Sequence, residues 1–131
     1  MIIVDTTVWI DYLRGDENPE THWLDAELQR QRFALVDLIL CEVLQGIKNQ
    51  STFAQVQADL MRFHIFETGG IDLAVAAARN YKRLREAGYA IRKTIDGLIA
   101  TFCLRHGHRL LHRDRDFDAF ETVLGLSVVH L

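Results

Sequence analysis

The sequence is short of the features that mark secreted, membrane and multidomain proteins. Its 131 residues include one proline and two cysteines, and no stretch is rich in glycine and serine. No apolar run approaches the roughly 18 residues of a membrane span. The opening MIIVDTT lacks the basic region and the small-residue cleavage site of a secretory signal. These absences predict one cytoplasmic domain over residues 1–131 that does not cross a membrane.

Two further shortages concern reactive thiols and positive charge. Cys41 and Cys103 each lie in an apolar helical stretch, which predicts reduced thiols in the core rather than a disulfide or a metal ligand. The chain has 15 Lys and Arg against 18 Asp and Glu, a net charge of −3. Taken alone, this charge disfavours a nucleic-acid partner, because phosphate binding favours basic proteins.

What the sequence does contain is an alternation of short apolar runs and helical patterns. The predicted strands are 2–4, 33–36, 64–67, 109–111 and 126–130. The predicted helices are 6–13, 20–31, one from 37 that ends near 46–48, 51–61, 71–87, 95–105 and 116–123, with Asp37 and Thr94 as N-caps and Gly107 ending the sixth helix. This alternation predicts the α/β class, a three-layer α/β/α sandwich around a mainly parallel sheet.

Acidic residues recur where the predicted strands end or where helices begin at the same edge. Asp5 directly follows the first strand, and Glu42 lies in the helix after the second. Asp96 is in the first turn of the helix before the fourth strand, and Asp114 and Asp116 follow that strand. Because the carboxyl ends of parallel strands share one edge, we expect these five carboxylates to converge there.

Such a concentration of carboxylates needs compensation. Glu42 and Asp96 have apolar neighbours, and like charges at close range disfavour joint ionisation. A divalent cation would relieve the repulsion, and all-oxygen ligands suit Mg²⁺ or Mn²⁺. Each acid alone also has a simpler explanation: Asp96 as a first-turn acid favoured by the helix dipole, Asp5 as a helix cap, and Asp114 and Asp116 as a solvated turn.

Four segments, in this order, resemble a known family: MIIVDTTVWIDYLRG, LCEVLQGI, TIDGLIA and LLHRDRDF. They are similar to the PIN-domain ribonucleases, specifically the VapC-type toxins of bacterial toxin–antitoxin pairs, and the likeness spans nearly the whole chain. The resemblance implies Asp5, Asp96 and Asp114 as principal metal ligands, with Glu42 and Asp116 completing the catalytic set.

The resemblance also implies an activity and partners. The activity is cleavage of RNA, with transfer RNA or another structured RNA as substrate, by a water that Mg²⁺ or Mn²⁺ activates. The partners are a second copy of the chain in a homodimer and a cognate VapB-type antitoxin that inhibits the enzyme.

Three residues near the acids have a structural and a functional interpretation. His112 stands where many relatives carry Thr or Ser, and a structural role is at least as favoured as a substrate contact. For Thr6 and Thr7, helix N-capping is favoured over orienting water or acids.

Basic residues concentrate in the later part of the chain. Ten Lys and Arg lie between Arg79 and Arg115. Those that flank the acidic segments are the candidates for phosphate contacts: Arg92, Lys93, Arg113 and Arg115.

Two other functions remain open from the sequence. A receiver-like phospho-acceptor domain has this length and also gathers acids at a strand edge. A PIN-like module that binds RNA without cutting it would share the fold, and metal-dependent turnover separates it from a nuclease.

Overall fold

The computed structural model describes all 131 residues. Its centre is a four-stranded sheet in the order β3-β2-β1-β4, and every strand pair is parallel. The strands are β1 Ile2–Val4, β2 Phe33–Val36, β3 His64–Phe66 and β4 Arg109–Leu111. The helices are α1 Thr6–Arg14, α2 Pro19–Glu27, α3 Asp37–Gln45, α4 Gln50–Leu60, α5 Ile71–Glu86, α6 Thr94–His106 and α7 Asp118–Leu124, with a 3₁₀ turn at Arg115–Phe117. The predicted α/β/α class is confirmed.

The burial of β1 and β2 is typical of the central strands of a parallel sheet. All residues of β1 and β2 are buried, as the continuous apolar runs predict for strands covered on both faces. Ile3 pairs with Ala34 on one side and with Leu110 on the other. One apolar cluster of 27 buried residues joins the sheet to its helices. No helix combines the length and the apolar character that a membrane crossing requires.

The last predicted strand, 126–130, is wrong, since this segment makes one isolated bridge between Leu110 and Val128. The reason lies in the backbone of β4. The Leu110 amide donates to Ser127 and its carbonyl accepts from Val129, whereas the Arg109 amide and the Leu111 carbonyl bond toward β1. Leu110 is therefore the one residue of β4 whose amide and carbonyl point away from β1, so pairing with residues 126–130 is limited to a single bridge.

Several local predictions also need correction. Cys41 is exposed on α3, whereas Cys103 is buried as predicted. The second helix ends at Glu27 rather than near residue 31, because residues 28–31 turn the chain back toward β2. Asp37 and Thr94 are the first helical residues rather than N-caps, and neither preceding residue makes a side-chain cap. Gly107 ends α6 in a left-handed conformation, as predicted.

Candidate active site

The predicted acids meet at the carboxyl edge of the sheet. Asp5 follows β1 and is the N-cap of α1, while Asp114 follows β4 and caps the 3₁₀ turn. Asp96 lies in the first turn of α6, and Glu42 lies on α3. Asp5 and Asp96 are 3% and 5% exposed, so two carboxyl groups are buried side by side rather than solvated.

Three acids are close enough to share one cation. Asp96, Asp114 and Asp116 each offer a ligand oxygen, and these oxygens lie within 4.8 Å of one another. Asp116 reaches this group because the 3₁₀ turn folds back, with its amide donating to Asp114 Oδ1 at 2.9 Å. The sequence predicted Asp5 as the third ligand, whereas this group contains Asp116.

Asp5 and Glu42 are held by the two threonines that open α1. Thr7 donates to Asp5 Oδ2 from its hydroxyl at 2.7 Å and from its amide at 3.2 Å. The Thr6 hydroxyl donates to Glu42 Oε1 at 2.7 Å. The preferred prediction of helix N-capping by Thr6 and Thr7 is wrong, because Asp5 occupies the N-cap. Their side chains orient the acids instead.

Burial raises the pKa of both buried aspartates. Desolvation raises the pKa of Asp5 to about 6, against the hydrogen bonds from Thr7, and the charge of Glu42 raises it further. Desolvation raises the pKa of Asp96 to about 7, and the charge of Asp5 adds to it. The Asp96 Oδ2 atom is buried and has no hydrogen-bond partner. An unpartnered carboxylate oxygen in a buried site is costly unless a proton neutralises it or a cation binds it, and the raised pKa of Asp96 reflects this cost.

Two of the predicted phosphate-binding residues contact the acids in this structure. Arg92 Nη2 lies 2.8 Å from Asp116 Oδ1, and this hydrogen bond lowers the pKa of Asp116. Lys93 Nζ lies 3.8 Å from Asp114 Oδ2. Both basic side chains are more than half exposed and lie at the rim of the site. The charge of Lys93 lowers the pKa of the buried Asp96 without forming an ion pair with it.

The other two basic residues differ in their surroundings. Arg113 forms ion pairs with Asp11 at 2.6 Å and with Glu20 at 3.3 Å. Its guanidinium thus connects the loop after β4 to α1 and α2, which is a structural contact. Arg115 is exposed and lies within 4 Å of no carboxylate oxygen. Of the two, Arg115 is the one whose charge is free for phosphate.

His112 contacts the backbone of the acid site and the ring of Phe117. Its Nδ1 accepts the amide hydrogen of Asp114 at 3.1 Å, and its ring packs at 4.9 Å from Phe117. Desolvation lowers the pKa of His112, so the ring is neutral at physiological pH. These contacts favour the structural interpretation of this residue.

The donor set fits a hard divalent cation. The clustered ligand atoms are all carboxylate oxygens, the donors that Mg²⁺ and Mn²⁺ prefer. Neither cysteine joins the group, and His112 uses its Nδ1 on backbone, so the softer donors typical of zinc are absent from it.

Comparison with known proteins decides the family. The family model described as PIN domain matches residues 2–122. The VapC ribonuclease Mb1587 of Mycobacterium bovis and Ribonuclease VapC11 of Mycobacterium tuberculosis are each 32% identical to this chain. In both alignments 133 residues cover 97% of this chain and 96% of the relative. The chain belongs to the VapC family of PIN-domain ribonucleases. The resemblance stated from the motifs is confirmed, and the receiver-like alternative is wrong.

Solved structures show the same fold. VapBC2 from Rickettsia felis, solved bound to a DNA fragment from its promoter, gives a TM-score of 0.78 at 16% identity, covering 100% of this chain and 99% of that chain. FitAcB from Neisseria gonorrhoeae gives a TM-score of 0.76 at 22% identity, covering 99% and 97%. The VapC fold therefore extends over the whole chain.

The sequence missed part of the acid site. The hydrogen bond from Thr6 to Glu42 and the contact between Arg92 and Asp116 join segments far apart in the chain, and orientation of acids by Thr6 and Thr7 was the less favoured interpretation. The sequence did contain a signal for these contacts. Thr6 and Thr7 directly follow Asp5, so their hydroxyls lie at the start of α1, near the carboxyl ends of the strands.

Proposed function

We propose that this VapC-family protein is an endoribonuclease toxin that depends on Mg²⁺ or Mn²⁺. The observation that carries the proposal is the buried Asp96 carboxylate. One of its oxygens has no partner, and it lies within reach of Asp114 and Asp116. Family membership supports RNA as the substrate, because the relatives at 32% identity are named ribonucleases.

The proposed roles follow from position and charge. Asp96, Asp114 and Asp116 would hold the cation, with Asp5 as a further ligand when it is deprotonated. When bound, the cation polarises the phosphodiester and makes water more acidic. Asp5 and Glu42, each fixed by a threonine, orient water beside the phosphate, and the near-neutral pKa of Asp5 suits it to accept a proton. The products would carry a 5′-phosphate and a 3′-hydroxyl.

Basic side chains would hold the RNA backbone at the rim. Arg92 and Lys93 contact the same acids that would bind the cation. With a cation held by these carboxylates, Arg92 and Lys93 would be available to contact phosphate oxygens. Arg115 is a third candidate for phosphate binding, and because it makes no ion pair, binding phosphate costs it no existing contact. Arg113 stays a weaker candidate, since phosphate binding would cost its contacts with α1 and α2.

The proposed partners are those of a toxin–antitoxin pair in the cytoplasm. The structural neighbours include VapBC complexes, which supports a VapB-type antitoxin for this chain. An arginine of the antitoxin can satisfy the carboxylate group bidentately in place of metal. A homodimer and a transfer RNA substrate complete the proposal. Co-expression with the cognate antitoxin should restore growth and yield a co-purifying complex.

Mapping of RNA 5′ ends after induced expression tests this function in cells. We expect the protein to generate new 5′-monophosphate ends at a small set of RNA sites. The Asp114→Asn variant, expressed at the same level, should generate none of them. Identical new ends with both proteins would contradict the proposal, and uncut but co-purifying RNA would instead support a non-cleaving RNA-binding module.

A further inference from the structure

A pocket lies between α5 and α6, beside the acid edge. Its volume is about 490 Å³, within the range of small-ligand sites. Its walls are mostly small, aliphatic or aromatic: Ala74, Ala78, Tyr81, Ile91, Leu98 and Phe120. We refer to it as the α5–α6 pocket. None of the proposed catalytic carboxylates lines it, so it is a separate feature of the surface.

The α5–α6 pocket adjoins the acid site at the start of α6. Thr94 and Gly97 line the pocket and stand on either side of Asp96 in the chain. Lys93 also lines it, and its Nζ lies 3.8 Å from Asp114 Oδ2. A polymer that places one unit in the pocket therefore has its backbone next to the carboxylates.

The lining chemistry favours a nucleobase on a phosphate backbone. Lys82 and Lys93 are the charged residues of the lining, and no carboxylate lines it. Tyr81 and Phe120 offer aromatic surface, and the Arg85 guanidinium lies 5.4 Å from the Tyr81 ring centre. Proteins recognise single-stranded RNA by stacking splayed-out bases on aromatic rings while cations contact the phosphates.

We infer that the α5–α6 pocket binds an unstacked base of the RNA, close to the scissile phosphate, and so sets the base preference of cleavage. This inference rests on the proposed ribonuclease function. A second copy of the chain is the other candidate occupant. Two-fold contact at this face would bring Lys82 and Lys93 of both copies together with no lining carboxylate to pair them, which disfavours it.

The pocket can be filled without touching the acids. Ala78 is exposed on α5 and lines the pocket, so Ala78→Leu adds three carbon atoms to it. Ala74→Leu, one turn earlier, is a second filling variant. Ala58→Leu is the matched control, because Ala58 is an exposed alanine of α4 outside the pocket.

The test compares these variants on a library of RNA oligonucleotides with randomised sequence. Sequencing of the product 5′ ends should show a base preference at one position beside the cut for the native protein and for Ala58→Leu. Ala78→Leu should weaken that preference about tenfold, the scale of one lost base–aromatic stack. An unchanged preference in both filling variants would overturn the inference.

A binding measurement without divalent cations separates this inference from the proposed function. One abasic residue is moved along an RNA oligonucleotide, and affinity is measured by fluorescence anisotropy. The native protein should lose about tenfold affinity at one abasic position, and Ala78→Leu should lose little. If the native protein binds in this way but cuts no RNA, the catalytic proposal fails, and the inference that the pocket binds an RNA base holds without its consequence for cleavage.

Two results would overturn the pocket inference directly. One is equal sensitivity of native protein and Ala78→Leu to the abasic position. The other is a change in oligomeric state by light scattering in Ala78→Leu, with RNA binding unchanged, which would assign the pocket to contact between copies of the chain.

Discussion

The hydroxyls of Thr6 and Thr7 hold two carboxylates that come from different segments of the chain. Thr7 bonds to Asp5 on its own segment, and Thr6 bonds to Glu42 on α3. Hydrogen bonds to a carboxylate favour its charged form and fix its rotamer. These two residues thus prepare the site for a cation before any cation binds.

Replacing Thr7 by valine should slow the reaction and shift its pH dependence. The variant loses the 2.7 Å hydrogen bond to Asp5, so the pKa of Asp5 rises above its native value of about 6. We expect kcat to fall about tenfold and the acid limb of the kcat/KM profile to move to higher pH. Steady-state kinetics at a series of pH values measures both.

The control for this variant is Thr52→Val. Thr52 is exposed on α4, and its hydroxyl makes no hydrogen bond. Its kinetics should match the native protein. A Thr7→Val enzyme with a native pH profile would show that Thr7 does not act through Asp5.

Because the pKa of Asp96 is raised in the fold, its ionisation should lower the free energy of unfolding of the metal-free protein as the pH rises. A carboxyl group with a raised folded pKa stabilises the fold fully below its unfolded value of 3.8, and this contribution is lost as pH rises through about 7. Between pH 6 and pH 8 the loss from Asp96 is about 1.4 kcal/mol. Asp5, whose pKa is about 6, adds a smaller loss in the same direction.

Urea denaturation in the presence of EDTA checks this prediction. Between pH 6 and pH 8 the stability of the native protein should fall by about 1.4 kcal/mol relative to that of Asp96→Asn. His112 and His108 act in the opposite direction, because their lowered folded pKa values make the unfolded chain release more protons between pH 6 and pH 8. Both residues are present in the two proteins, so the difference between native protein and Asp96→Asn isolates Asp96. Equal pH dependence in both proteins would contradict the assignment.

At the scale of single residues, the sequence was informative where a charged residue stood among apolar ones. Glu42 and Asp96 were selected by their position relative to the strand ends, and their apolar neighbours argued against solvated surface acids. Both lie at the carboxyl edge of the sheet. The exposure of Cys41 was missed because α3 turns that face to solvent, which depends on the packing of α1 and α4 against it. The group of three close acids contains Asp116 rather than Asp5, because the 3₁₀ turn brings Asp116 back to Asp114. The sequence instead predicted that a helix begins at residue 116.

At the scale of elements, the loop after β4 is fixed by contacts to two helices. Arg113 forms ion pairs with Asp11 of α1 and Glu20 of α2, and its amide donates to the Thr7 hydroxyl. This loop carries Asp114 and Asp116. The contacts of Arg113 therefore position two acids of the site relative to α1.

Replacing Arg113 by alanine should lower the free energy of unfolding by about 1 kcal/mol, the upper range for partly exposed ion pairs. Arg115→Ala is the matched control, because Arg115 lies on the same loop without an ion pair. It should leave stability unchanged and weaken RNA binding. Denaturation curves and RNA affinities measured on both variants check the pair of effects, and equal destabilisation would contradict the structural role given to Arg113.

The elements themselves were largely predictable because their signals are local. Short apolar runs predict the bounds of β1, β2 and β4. Gly107 ends α6 because glycine readily adopts the left-handed conformation found there. The failure at 126–130 has a non-local cause, since pairing there depends on which way the backbone of Leu110 faces. Apolar character alone cannot report that direction.

At the scale of the whole molecule, the net charge of −3 conceals a separation of charge. Five of the 18 acidic residues form the proposed site, and they account for more than the entire net charge. The remainder of the chain carries a positive excess, concentrated from Arg79 onward. An RNA partner is therefore compatible with the composition that first disfavoured it. The α5–α6 pocket, by contrast, was not predictable, because it arises from the packing of two helices.

Cation binding should stabilise the whole fold. A ligand that binds only the folded state raises its stability, by about 2.7 kcal/mol at 100 times Kd. Mn²⁺ should raise Tm more at pH 8 than at pH 6, since bound carboxylates must be deprotonated. Asp114→Asn should lose this rise, and Asp72→Asn, an exposed acid of α5, should keep it. An undiminished rise in Asp114→Asn would contradict the proposed site.

Cleavage of RNA by the purified protein is the decisive measurement of the proposed metal-dependent ribonuclease activity. Native protein, Asp96→Asn and Asp72→Asn are purified alike and incubated with total transfer RNA and Mg²⁺ or Mn²⁺. The proposed metal-dependent activity predicts discrete cuts by native protein and Asp72→Asn, their loss in EDTA, and a rate at least about a thousandfold lower for Asp96→Asn. Equal cutting by Asp96→Asn, or cutting that persists in EDTA, would contradict it.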